Sequence, residues 1–136
     1  MAFISKKPLK KEVQAQLHQQ LIRTIVALRT VDGGRNFISE LFTDTEQIMF
    51  GKRLMIIFML AEGISQYRIK QVLNVSSSTV LRIGRLMNGG AFDYMIHLCR
   101  KKKSREILWR ELEVIIRFGM SSMGKKRCDW LNDLYK

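Results

Sequence analysis

The chain has 136 residues, 46% of them hydrophobic, and carries 24 Lys plus Arg against 12 Asp plus Glu, a net charge of +12. That hydrophobic share excludes a disordered chain, and the length fits one domain or one subunit of an intertwined dimer. The excess charge is spread, residues 1–40 carrying +4, 41–90 carrying +3 and 91–136 carrying +5, which points to a polyanionic partner and leaves a basic protein without one as the alternative.

Residues of about 10–31 place Val13, Leu17, Leu21, Ile25 and Leu28 at three- and four-residue spacing, the stripe of an amphipathic helix. Asp32-Gly33-Gly34 is expected to break it, with a short helix over about 36–42 that Asn36 caps. Thr43-Asp44-Thr45-Glu46 reads as a capping box, in which Thr43 and Glu46 satisfy each other's free amides. The helix it opens runs to about Glu62 and ends at Gly63, a residue suited to the left-handed conformation. Leu54 to Leu60 are apolar all round the helix, which predicts burial on several sides, against a second subunit or inside a monomeric bundle.

The stretch Gln66–Arg85, QYRIKQVLNVSSSTVLRIGR, reads as a helix-turn-helix, within a unit extending over 66–88. Ser65 caps its first helix, on which Ile69 and Leu73 share a face. Asn74 falls where the chain turns sharply and tolerates a left-handed backbone, Val75 plugs the angle, and Val80 and Ile83 share a face of the second helix. Small polar residues and arginines on the outer face suit a helix that enters a DNA major groove. After Asn88-Gly89-Gly90 a helix is expected over about 92–100, an interruption at Arg100–Lys103, and a last amphipathic helix over about 104–118. Gly119 to Gly124 reads as a loop.

Catalysis finds no constellation. His18 and His97 lie apart, the carboxylates are scattered, and neither glycine pair has phosphate-loop flanks. No metal site is expected. Cys99 and Cys128 form neither a zinc motif nor a disulfide framework and suit a reducing compartment. Lys6, Lys7, Lys10 and Lys11 interrupt any signal-peptide core. The longest apolar run, Leu54–Ala61, has eight residues against the about 20 a membrane span needs.

Taken in order, LFTDTE at Leu41–Glu46, Gly51-Lys52-Arg53, EGIS at Glu62–Ser65 and QYRIKQVLNVSSSTVLR from Gln66 resemble the bacterial Trp-repressor superfamily over about 41–94. STVLRIGRLMNGG, from Ser78 to Gly90, is most similar to its YerC/YecD-type relatives. The resemblance implies an all-α fold of two interlocked chains, each presenting one reading head, with the heads one DNA turn (~34 Å) apart over a palindromic site. On this reading 1–94 form the Trp-repressor-like helical domain and 95–136 a basic helical extension packed on the same domain or dimer. The expected setting is a bacterial cytoplasm, at the nucleoid, and the expected partners are double-stranded DNA and a second copy of the chain.

Ser76, Ser77, Ser78, Thr79 and Leu81 stand at the front of the second helix. Their hydroxyls can meet bases or phosphates or simply cap the helix, and Leu81 can touch a thymine methyl. Gln66, Tyr67 and Lys70 are candidate backbone contacts, and Lys70 matches a DNA-contacting lysine of the family. Arg85, one turn beyond Leu81, is expected to meet phosphate. The resemblance aligns Arg53 and Arg82 with two arginines that clasp a tryptophan co-repressor, and Thr43 with a residue near its carboxylate. Arg53 and Arg82 can instead be structural, or Arg82 can bind phosphate, and Leu86 stands where the repressor has a serine near the indole nitrogen. Lys101–Lys103 and Lys125–Arg127 are either solvated charge or phosphate contacts. The expected function is a dimeric, sequence-specific regulator, most simply a repressor and not an enzyme. The rivals are a non-specific nucleic-acid binder and the recognition subunit of a transposase-like system.

Overall fold

The computed structural model describes residues 7–119 as seven helices, with no strand among them. These are α1 (Lys11–Ala27), α2 (Val31–Leu41), α3 (Asp44–Ala61), α4 (Gln66–Leu73), α5 (Ser77–Asn88), α6 (Asp93–Arg100) and α7 (Lys102–Gly119). The described chain falls into two compact units that divide within α3, between Phe50 and Gly51. The reading of Gly119 to Gly124 as a loop, and the basic run Lys125–Arg127, lie outside the described residues from position 120 on.

The first unit differs from the sequence expectation at its glycines. Helix α2 starts at Val31 and runs straight through Gly33 and Gly34, so Asn36 is an interior residue and not the cap. Thr30 is the cap, its hydroxyl accepting from the Gly33 amide at 3.0 Å. A Cβ at Gly33 would meet that same hydroxyl at 3.0 Å, a close contact that a small shift of the Thr30 side chain relieves. Asp32 in the first turn adds favourable charge at the helix N-terminus. The capping box forms as expected. The Thr43 amide donates to Glu46 Oε2 at 2.8 Å, the Thr43 hydroxyl to the same oxygen at 3.0 Å, and the Glu46 amide to the Thr43 hydroxyl at 3.2 Å. Phe42 and Phe50 meet edge to face at 5.1 Å. No described residue before Met55 is buried, and Val13, Leu17, Leu21 and Ile25 of α1 all stand exposed.

The second unit holds the core. Five consecutive α3 residues, Met55 to Met59, are buried, which at 3.6 residues per turn covers every side of the helix. Ile69, Leu73, Val80 and Ile83 close on them, as do Leu112 and Ile116 of α7. Trp109 lies edge to face on Phe58 at 5.5 Å. Helix α3 stops by pairing the Ile64 amide with the Met59 carbonyl (2.9 Å) and the Gly63 amide with the Leu60 carbonyl (3.0 Å). Gly63 has φ +77°, which an L side chain resists. Helix α5 stops the same way around Gly90, at φ +85°.

The expected interruption at Arg100–Lys103 shrinks to one residue, Lys101. Lys102 and Lys103 enter the first turn of α7 although cations are disfavoured there, because the apolar face of α7 packs on α4 and α6.

Candidate nucleic-acid interface

Each joint of the helix-turn-helix has a local cause. Ser65 accepts from the Arg68 amide at 3.4 Å and starts α4. Asn74 ends it in the left-handed conformation, φ 50° and ψ 59°. The ammonium group of Lys52 donates to the Asn74 carbonyl at 3.3 Å, tying the turn to α3. Ser76 starts α5 by accepting from the Thr79 amide at 3.2 Å, and its hydroxyl also lies 3.0 Å from that of Ser78 and 2.8 Å from that of Thr79. Ile69, Val72, Leu73, Val80 and Ile83 face the core, which leaves the opposite faces of α4 and α5 to solvent.

On those outer faces the structure brings most of the candidate residues together. Ser78, Leu81, Arg82 and Arg85, at helical spacing on α5, line a shallow concavity of about 450 Å³ with Leu86. Ser77 is exposed at the start of the same helix, while Thr79 is half-buried and engaged with Ser76. Gln66, Tyr67 and Lys70 are exposed on α4, where the Tyr67 hydroxyl accepts from Gln71 at 2.8 Å. From Gly63 to Phe92 the chain carries four cations, Arg68, Lys70, Arg82 and Arg85, and no carboxylate. An outward helix face with hydroxyls, one apolar tip and flanking arginines can read base edges and grip phosphates.

Each of the three residues that the resemblance links to an effector has local partners or surroundings of its own. The Thr43 hydroxyl is engaged by Glu46 in the first unit, and the Thr43 amide, then the Thr43 hydroxyl, hold the Glu46 carboxyl below its usual pKa by donating to it. The Arg53 guanidinium lies over the ring of Phe92, 5.7 Å from its centroid. Arg82 opens into the α5 concavity. Among the described residues no group of three His, Cys, Asp or Glu side chains could hold a metal ion, and no helix is long and apolar enough to cross a membrane.

Sequence reasoning missed two contacts that fix this unit. Arg105 of α7 grips Glu62 with Nε at 3.1 Å and Nη2 at 2.9 Å, just before the turn into α4. The other is the Arg53–Phe92 contact. Both join residues far apart in the chain, and no local pattern announces them. The Cys99 thiol is raised by burial and then by the nearby Glu62 charge.

An all-α core that presents a cationic helix-turn-helix defines a DNA-binding regulator class. The chain belongs to the Trp repressor family, whose match covers residues 16–102. It is similar to the uncharacterized protein YerC of Bacillus subtilis (strain 168), with 29% identity over 85 residues that cover 62% of this chain and 82% of that protein. No solved structure matches the chain. The family match is longer than the motif-bearing stretch 41–94, taking in most of α1, and it stops as α7 begins.

Proposed function

We propose that the protein is a sequence-specific transcriptional regulator, a repressor, which binds a palindromic DNA site as a homodimer at the bacterial nucleoid. The observation that carries this reading is the outer face of α5, where Ser78, Leu81, Arg82 and Arg85 form one exposed concave surface in a stretch without carboxylates. Phosphate contacts from Lys70, Arg85 and Gln66 supply affinity, and Ser77, Ser78 and Leu81 supply preference. The dimer is supported by the first unit, in which no described side chain is buried and the apolar stripe of α1 is exposed. A contiguous exposed apolar stripe of this kind marks a surface that binds another apolar surface.

The test compares Lys70→Ala with Leu81→Ala against a panel of duplexes. Lys70→Ala lowers affinity about equally for every duplex, while Leu81→Ala changes their rank order. If neither variant differs from the parent, the assignment of the reading face fails. A second reading, a non-specific nucleic-acid binder, draws on the exposed run Arg100–Lys103. It predicts steep salt dependence and no rank order at all.

A further inference from the structure

The resemblance implies a clasp in which two arginines hold the planar ring of a tryptophan co-repressor, with Thr43 near its carboxylate. The residues present do not fit that ligand. Arg53 already has an aromatic face, the ring of Phe92 at 5.7 Å from its guanidinium carbon, within the distance of an effective cation–π contact. The Thr43 hydroxyl gives its proton to Glu46 Oε2 and accepts from the Glu46 amide, so it is spent on capping α3. The concavity beside Arg82 is lined by Leu81 and Leu86, with a second cation, Arg85, and no carboxylate to receive an amino group.

We propose that Phe92 covers the face of Arg53 that a planar effector would need, so that the exit of the reading helix is braced from within the chain and the protein binds DNA without tryptophan. Phe92 is placed to do this. It is buried at the start of α6, two residues beyond Gly90, whose left-handed backbone ends α5. Gly90 has φ +85°, which an L side chain resists, so the turn that leads into Phe92 favours glycine there. Arg53 stands on α3, the helix with the most buried side chains. The contact therefore ties the exit of α5 to the core. A reading helix held at one end spends more of its time in the binding orientation, and apparent affinity scales with that fraction. Phe92 acts as a positioning residue, since it is buried and Arg53 carries its effect.

The inference rests on the DNA-binding reading, and the experiment separates the two. The full chain is titrated with its selected duplex, with and without L-tryptophan, and L-tryptophan alone is titrated into the protein by calorimetry. Expected are equal affinities and no heat of binding. Phe92→Leu, which keeps the apolar volume but loses the ring, lowers affinity about threefold per head, the scale of one cation–π contact. Phe92→Trp restores it. Arg53→Met, at an exposed position that folding tolerates, gives the same loss, and the double variant loses no more than either single one. A gain of DNA affinity with L-tryptophan, or a heat of binding, overturns the proposal and leaves the regulator reading intact. Phe92→Leu with parental affinity overturns the brace. If no duplex is bound under any condition, the regulator reading fails, and the calorimetric titration alone still decides whether the clasp is open to tryptophan.

Discussion

Replacing Leu112 by alanine asks whether α7, which extends beyond the family match, completes the fold of the reading head. Leu112 is fully buried on α7, whose apolar face packs on α4 and α6, in the same core as Phe58 and Ile69. Removing its three outer carbons leaves a cavity in a packed core, and such changes cost about 2–5 kcal/mol. Complete burial and helices held on two sides place the expectation near the middle of that range, ~3 kcal/mol. Against the ~5–15 kcal/mol of a typical domain this is a large share, equivalent to a melting shift on the order of 10 °C. Val114, two residues on and exposed on another side of the helix, is the control, and Val114→Ala stays within about 0.5 kcal/mol. Urea titrations of parent and variants at one protein concentration read both values, because the stability of a chain that self-associates depends on concentration. A Leu112→Ala midpoint equal to that of the parent would refute the claim that α7 belongs to the core.

Arg105→Ala strands the Glu62 carboxylate, which is 11% exposed while Arg105 is 52% exposed, so the loss lies between surface and buried pairs at about 1 kcal/mol in the same titration. Glu46 has a lowered pKa in the folded chain, held first by the Thr43 amide and then by the Thr43 hydroxyl. Its contribution is therefore fully present above the ordinary carboxylate range and is lost as pH falls through the lowered folded value. Accordingly, Glu46→Gln melts below the parent at neutral pH, and the two curves converge in strong acid. Cys99 is buried and its thiol is raised, first by burial and then by the Glu62 charge, so alkylation followed by peptide mass mapping marks it only after unfolding. Lys70→Ala lowers the slope of log affinity against log salt by about one per contacted phosphate, at every duplex tested.

What the sequence made legible is chemistry that acts within about four residues. The Thr43–Glu46 box, the left-handed Asn74 and the stop at Gly63 all formed where their residue types required them. The helix-turn-helix was legible because its apolar spacing and its turn residues agree. Helix α2 differs from the sequence expectation because two adjacent glycines weigh against a helix locally, while Thr30 supplies the cap by accepting from the Gly33 amide. The lysines at α7 were misread in a related way. Their charge opposes the helix start, but the burial of Leu112 and Ile116 outweighs it, and burial depends on partners distant in sequence. The outward residues of α4 and α5 were legible as a surface. The braces behind it were not, because Glu62–Arg105 and Arg53–Phe92 each join elements that only the tertiary fold brings together.

In the proposed function the outer face of α5 reads sequence as one half of a symmetric pair. The direct measurement is selection of bound sequences from a randomised duplex pool by the full-length protein at physiological salt, with no effector added. Enrichment of a two-fold symmetric site, with half-sites about one helical turn apart, is the predicted result. Retention of DNA without enrichment would contradict sequence-specific reading, and enrichment of a single unpaired half-site would contradict the dimer.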